Sequence, residues 1–381
     1  MKRIFFLLSM MYGSMLFAAP GDTTIVQTFS FEDGKQPAWT WQTGTFVFPA
    51  GEVQYEKVLM IYTLKCDPNS NPACGEWDFL VHTQLGEDVT TPADTQTVYR
   101  FWELGKYVTP YGYGIDLGNN GWTWVYDVSD FVHLLKDTVL IRDMNFQEIL
   151  DLKFMFIEGI PPRNVVDIQQ IWQRDVYLNV FDDIVKDTTI QLKPETRQVK
   201  LRTTLTGHEF SNNTNCAEFC PKIHSVQANG TTIANWQIIQ SCATNPLYPQ
   251  GGTWLYDRAG WCPGMVGTLN EFELTPYILN NSVNFDYDIQ YDQYGYYNTH
   301  IELVSYGDIN FTDDVTAELI ISPTNDKLQS RFNPTCGNAF VVIKNIGSHS
   351  LTAATIRYSI GNSINETSPQ LTYNWTGNLH F

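Results

Sequence analysis

Apolar and polar residues alternate with a period of two along much of the chain, the pattern of strands that bury one face. The clearest run is 283–291, where Val283, Phe285, Tyr287, Ile289 and Tyr291 share one face and Asn284, Asp286, Asp288 and Gln290 the other. Leu152, Phe154 and Phe156 alternate in the same way, as do Val199, Leu201 and Thr203. Helical periodicity is scarce. The best short candidate is 127–135, with Ser129 or Asp127 as its cap. These patterns predict a mostly antiparallel all-β protein, built as sandwiches whose connecting loops carry the function.

The strand pattern breaks at Gly159-Ile160-Pro161-Pro162-Arg163, where two prolines forbid a continuing strand, and changes again near 325–338. Beyond that, 339–347 and 352–361 read as strands of a unit too short for a full immunoglobulin-like sandwich. The amino terminus has a basic head, Met1-Lys2-Arg3, then an apolar run ending in the small residues Ala18 and Ala19. That is the pattern of a secretory signal, with no cysteine after the cut to take a lipid. No later apolar run is long enough to span a bilayer. The expected layout is a signal peptide at 1–19, β-domains at 22–160 and 164–328, and a partial immunoglobulin-like or appended β segment at 335–381. The expected location is secreted, periplasmic or at the cell surface.

Composition narrows the partners. A formal charge of -18 lacks the clustered Lys and Arg that a phosphate-binding surface needs, so nucleic acid is excluded. The 11 Trp suit sugar faces, but they also serve large β-cores, and composition alone favours the core reading. Of seven cysteines, six fall into local pairs in an oxidising compartment: Cys66 with Cys74, Cys216 with Cys220, and Cys242 with Cys262; Cys336 is left over.

Three of these cysteine-closed loops carry acids. Cys66–Cys74 delivers Glu76-Trp77-Asp78; Cys216-Ala217-Glu218-Phe219-Cys220 holds Glu218; and 242–262 contains Asp257-Arg258-Ala259-Gly260-Trp261. Cys216, Cys220 and His224, with His208 or Glu218 as a fourth ligand, would also suit zinc, but thiolate zinc sites are uncommon where disulfides form. A structural disulfide is the stronger competitor. An acid beside an aromatic in a locked turn is the arrangement expected of carboxylates preorganised for acid/base work on a sugar-bearing substrate.

The motifs Cys74-Gly75-Glu76-Trp77-Asp78, Leu104-Gly105-Lys106-Tyr107-Val108-Thr109-Pro110-Tyr111, Leu201-Arg202-Thr203-Thr204, Cys216-Ala217-Glu218-Phe219-Cys220 and Asp257-Arg258-Ala259-Gly260-Trp261-Cys262-Pro263-Gly264-Met265 resemble, in order, those of the peptide:N-glycosidase F family of secreted bacterial amidases. The resemblance implies two antiparallel eight-stranded jelly-roll sandwiches side by side, with the glycan site in the groove between them, and the same three disulfides. It implies hydrolysis of the bond between the Asn side chain and the first N-acetylglucosamine of N-linked glycans, by a monomer acting on glycoproteins or glycopeptides without a metal or other cofactor, and away from membranes. By motif, Asp78 falls on the principal catalytic aspartate and Glu218 on its assisting glutamate, with Trp77, Arg258, Trp261 and Tyr111 contacting substrate. For a third acid the nearest candidate is Asp143, with Glu148 next. Phe79 stands where the family has a basic residue, Gly112 where it has a Trp, and an aromatic is deleted around Gly207-His208. A non-catalytic glycan-binding or surface-assembly protein on the same fold is the alternative. A copper monooxygenase of paired jelly rolls is disfavoured by seven scattered histidines without an H-x-H pair.

Overall fold

The computed structural model of the protein describes residues 20–51, 53–212, 215–333, 339–358 and 371–376. The expected signal peptide and Cys336 lie outside the described residues. Eight strands form the first unit: β1 (Thr23–Phe29), β2 (Gln42–Val47), β3 (Tyr55–Lys65), β4 (Leu80–Asp88), β5 (Tyr99–Val108), β6 (Trp122–Asp127), β7 (Thr138–Asp143) and β8 (Ile149–Glu158). They make two four-stranded antiparallel sheets, β1-β8-β3-β6 and β2-β7-β4-β5. The alternating residues dictate the packing: Val58, Met60, Tyr62 and Leu64 of β3 and Leu152, Phe154 and Phe156 of β8 are almost wholly buried between the sheets. Apart from the buried Thr63, their outward neighbours stay partly accessible, as the period of two requires.

After 159–162 the pattern repeats. The second unit comprises β9 (Arg163–Tyr177), β10 (Thr188–Gln191), β11 (Gln198–His208), a small hairpin of β12 (Phe210–Asn212) and β13 (Asn215–Cys216), then β14 (Ile223–Ala228), β15 (Thr231–Gln237), β16 (Leu269–Glu273), β17 (Ser282–Ile289) and β18 (Tyr296–Ile309). Its sheets run β16-β11-β18-β9 and β10-β17-β14-β15. Apart from the small hairpin, this is the strand order of the first unit. The all-β antiparallel fold expected from the alternation is what the chain adopts. Val283, Phe285, Tyr287 and Ile289 of β17 are buried, but the strand ends there and Tyr291 is exposed.

One expectation needs correction. The segment 127–135 is not an α-helix; it holds one 3-10 turn, Ser129–Phe131. The Ser129 hydroxyl accepts the Val58 N–H and the Asp127 carboxylate accepts the Ser129 N–H, so the polar groups tie the turn to the sheet edge. At the carboxyl end, β19 (Val315–Ser322) precedes the expected change at 325–338 yet joins neither sheet of the second unit. It pairs with β20 (Phe340–Asn345), while β21 (Ala353–Tyr358) pairs with β22 (Leu371–Thr376).

The two units share a hydrogen-bonded seam. The end of β5 continues its pairing into the second unit: Val108 N–H donates to the Met265 carbonyl (3.0 Å), Gly264 N–H to Val108 (2.8 Å), and Gly267 N–H to Lys106 (2.9 Å). Leu247, Met265, Ile168 and Val304 of the second unit belong to the first unit's core. Lys106 crosses the seam, its ammonium donating to the carbonyls of Thr204 (2.9 Å) and Asn298 (3.1 Å) and lying 3.6 Å from Glu103. His82 and His300 flank the same carboxylate at 2.7 and 3.3 Å. Burial alone would raise the Glu103 carboxyl, but Lys106, His300 and His82 together hold it well below the usual carboxylate range. Removing one partner of a buried pair strands the other in low dielectric, so Lys106→Met should cost roughly 3–5 kcal/mol of unfolding free energy in urea titrations. Adding Glu103→Leu to that variant should restore most of the loss. A cost for Lys106→Met below about 1 kcal/mol would show that the charge does not hold the seam.

Candidate active site

Asp78 stands at the entrance to β4, on a backbone fixed from both sides. The Cys66–Cys74 disulfide closes the preceding loop. Beyond it, the Thr109 hydroxyl accepts the Phe79 N–H (2.8 Å) and donates to the Trp77 carbonyl (2.9 Å), so one buried side chain pins the residues on either side of Asp78. The Thr109 N–H also donates to the Phe79 carbonyl. Gly112 follows two residues after Pro110, and a Cβ there would lie 2.0 Å from the Gly75 carbonyl oxygen. No larger side chain fits this close approach of the two loops, which accounts for the glycine at that motif position.

Glu218 comes from the second unit. Its turn is closed by the Cys216–Cys220 disulfide, and its carbonyl accepts the Ala259 N–H (2.9 Å), docking the turn on the 257–262 loop. That loop in turn lies flat on β11. Gly260 has φ +80°, and a Cβ on it would meet the Leu205 carbonyl oxygen at 2.1 Å. The third disulfide, Cys242–Cys262, anchors the far end. All three expected pairings are therefore present. His224 is not near a metal-like cluster: it is buried on β14 with its Nδ1 against the Tyr287 hydroxyl (3.0 Å). Among the described residues no group of three or more His, Cys, Asp or Glu is arranged to hold a metal ion.

Between the two carboxylates lies Arg258, with no exposed side-chain surface. Its Nε donates to Glu218 Oε1 (3.2 Å), and its Nη2 lies 3.8 Å from Asp78 Oδ2. The Nη1 atom donates to the carbonyls of Thr253 (3.0 Å) and Tyr256 (2.8 Å), while Nη2 also donates to the Thr253 hydroxyl (2.9 Å) and reaches the Tyr111 hydroxyl (3.5 Å). Phe219 and Trp261 lie against the guanidinium at 4.9 and 4.8 Å. Trp261 is itself buried, donating its indole N–H to the Gly207 carbonyl (2.8 Å). Of the four side chains expected to contact substrate, Trp77 and Tyr111 present surface, whereas Arg258 and Trp261 lie beneath the carboxylates.

The two acids are electrostatically distinct. Burial pushes Glu218 up to about 7; the Asp78 charge adds to the rise, and Arg258 opposes it. Burial also raises Asp78 above its ordinary value, but Arg258 and a hydrogen bond from Tyr111 pull it back. A shared permanent cation and mutual repulsion thus favour one ionised and one protonated carboxyl near neutral pH.

Neither candidate third acid joins this cluster. Asp143 is buried at the end of β7, accepting from the Thr83 hydroxyl (2.6 Å), the Asn145 N–H (2.8 Å) and Tyr62 (3.4 Å). Burial raises it to about 6. Glu148 is buried as well, and burial holds its carboxyl well above the usual range. The strand places Asp143 inward, and the next residue, Met144, is half-buried and uncharged. Sequence reasoning missed Thr253, whose hydroxyl and carbonyl both hold Arg258; its place in Gly251-Gly252-Thr253-Trp254, inside the Cys242–Cys262 loop, was the available signal. It also missed the stack of His208 between Trp261 and Tyr296, with ring centroids 5.3 Å apart on each side.

A cavity of about 620 Å³ lies elsewhere, between Tyr55, Arg163, Tyr306 and the tail residues Lys344–Gly347. Three of its cations already have partners: Lys200 pairs with Glu271, Lys344 with Glu318, and Arg163 donates to the Gly307 carbonyl. The convergent acids make the Asp78–Arg258–Glu218 cluster the candidate site.

A carboxyl raised by burial binds its proton more tightly in the folded state, so folding stability is greatest below its unfolded pKa and falls as pH rises through the folded one. For Glu218 the window runs from 4.5 to about 7. Urea midpoints of the wild type should fall across that window more steeply than those of Glu218→Gln, which has no proton to lose. Parallel curves for the two proteins would refute the assignment of the raised group.

Residues 176–306 match the family described as Peptide-N-glycosidase F, C terminal. The chain is 26% identical over 300 residues to peptide-N(4)-(N-acetyl-beta-D-glucosaminyl)asparagine amidase F of Elizabethkingia miricola, covering 71% of this chain and 79% of that protein. Its fold is that of the solved structure of PNGase F, a glycosylasparaginase from Flavobacterium meningosepticum, at a TM-score of 0.64 and 23% identity, covering 75% of this chain and 96% of the other. PNGF-II also shares the fold, with a TM-score of 0.57 at 13% identity over 76% of this chain and 65% of that one. On its motifs, its matched region and its fold, the chain is similar to the peptide-N-glycosidase F family.

Proposed function

We propose that the protein hydrolyses the amide bond between an Asn side chain and the first N-acetylglucosamine of N-linked glycans, turning Asn into Asp and releasing the glycan as a glycosylamine. The observation that carries this reading is the buried Arg258 holding Asp78 and Glu218, contributed by different units, toward one another. Amide hydrolysis needs a carboxylate to take a proton from water and an acid to give one to the leaving nitrogen. Asp78, kept toward its ionised form by Arg258 and Tyr111, is the acceptor; Glu218, with a pKa near 7, is the donor. Water oxygen adds to the carbonyl carbon, its proton passes to Asp78, the C–N bond breaks, and nitrogen leaves with the Glu218 proton. Arg258 and Trp261 act from beneath as supports, while Trp77 and Tyr111 line the accessible side.

The substrates are N-linked glycoproteins or glycopeptides outside the cytoplasm, which the three disulfides and the signal-like amino terminus support. The two units, β1–β8 and β9–β18, each built on a pair of four-stranded sheets, act as one body with the site at their seam, and the protein works as a monomer without metal. A binding protein on the same fold is the second reading, favoured by one specific observation: Asp143 is turned into the core, away from the cluster.

Mass spectrometry of a denatured N-glycoprotein after incubation decides between them. The wild type should convert glycosylated Asn to Asp. Asp78→Asn should lose about 10²–10⁴-fold in rate, and Glu218→Gln should lose comparably at neutral pH. With Glu218 as donor, the wild-type rate should fall as pH rises above about 7. Absence of conversion across several glycan types would leave the binding reading standing.

A further inference from the structure

Trp39 occupies the third position of the turn Pro37–Thr40, which is closed by the Thr40 N–H on the Pro37 carbonyl (3.2 Å). Its φ is 61°, left-handed backbone that such turns normally give to Gly or Asn and that a bulky side chain rarely adopts. The ring compensates for that conformation. It packs edge-on against Phe79 with centroids 5.0 Å apart and against Phe146 at 4.9 Å, while Phe79 and Phe146 are 5.0 Å from each other. A tryptophan placed only to anchor the turn would be buried, yet 63% of Trp39 remains exposed. The ring is clamped along one side and open on the other.

Its position ties it to the chemistry. Phe79 directly follows Asp78, and the two backbones are fixed together by Thr109. A glycan whose scissile bond sits at Asp78 and Glu218 and which extends over the end of the first unit would meet Phe79 and then Trp39. This aromatic step carries no charge, where the related family has a basic side chain after the aspartate. An enzyme acting on glycoproteins meets variable peptide but a constant glycan core, so a rigid platform one residue from the acid fits the constant part. The C–H face of a pyranose ring against an open indole face is the matching chemistry.

We propose that Trp39, seated on Phe79 and Phe146, is a sugar-binding platform for the glycan core beyond the first N-acetylglucosamine. The inference rests on the amidase reading for its role in turnover, but binding can be tested without it. Wild type, Trp39→Ala and Trp39→Phe, each checked for an unchanged melting temperature, are titrated calorimetrically with the free core pentasaccharide of two N-acetylglucosamines and three mannoses. Trp39→Ala should weaken binding about tenfold, equivalent to about 1.4 kcal/mol, with Trp39→Phe retaining part of the affinity. In turnover, kcat/KM is compared between glycopeptides bearing the pentasaccharide and those bearing one N-acetylglucosamine, and the preference for the longer glycan should shrink by a similar factor. Equal losses on both substrates would mean that Trp39 merely supports Asp78, and unaltered pentasaccharide binding would also overturn the proposal. If the wild type cleaves neither substrate, the amidase reading falls while the calorimetry still decides the platform. Should Trp39→Ala misfold, Trp39→Phe alone decides, since an affinity equal to the wild type's would overturn the inference.

Discussion

A guanidinium without exposed surface needs all of its donors met by protein, and Arg258 meets this demand with groups that no single element supplies. Two carbonyls and a hydroxyl come from its own loop and one carboxylate from the Cys216–Cys220 turn, while the first unit supplies the Tyr111 hydroxyl at 3.5 Å and the charge of Asp78 at 3.8 Å. Phe219 and Trp261 exclude water around it. The cation is therefore satisfied only when both units are docked, and both carboxylates are placed only when the cation is satisfied. Site geometry and the seam are one constraint.

That dependence explains why the loops are so heavily fixed. A carboxylate free to swing away would leave the buried charge unpaired at a cost of several kcal/mol, so each arm is tied by covalent or backbone links close to the acid. Disulfides do this before Asp78 and around Glu218; Thr109 does it immediately beside Asp78. The pairing of β5 with the 264–267 stretch brings Thr109 and the Arg258 loop to the same place. Lys106 reinforces that pairing from within, its charge spent on Glu103 and two carbonyls across the seam.

What the sequence revealed follows the range of each signal. Period-two alternation is local, so β8 and β17 were legible from their own residues, and the cysteine spacings disclosed all three disulfides. Asp78, Glu218 and Arg258 lie in compact motifs, and the fold brings those three side chains together. Asp143 lies apart from them because adjacent strand residues face opposite ways: its phase on β7 puts it in the core with Thr83 and Tyr62. The turn at 127–135 has a helix-like pattern, yet its length is spent capping a sheet edge. Thr253 and the His208 stack, and the approach of Trp39 to Phe79, depend on contacts between distant segments and leave no periodic trace. The partner of β19 was hidden for the same reason, since β20 lies beyond the compositional change.

The want of a third acid in the cluster does not by itself remove the means for acid/base chemistry. Two carboxyls facing one cation in a poorly solvated site cannot both ionise as readily as in water, and the group with more opposing charge gives up its proton first. Asp78 has Arg258 and the Tyr111 hydroxyl; Glu218 has Arg258 but also feels the negative charge of Asp78. The two carboxyls therefore sit in different environments, and the proposed division into base and acid rests on that difference. What a third acid would have added is a further polar contact on the first unit's side of the groove. Beside Asp78 the chain instead carries Phe79, packed against Trp39 and Phe146, and on the proposed reading substrate grip there comes from ring faces and not from charge.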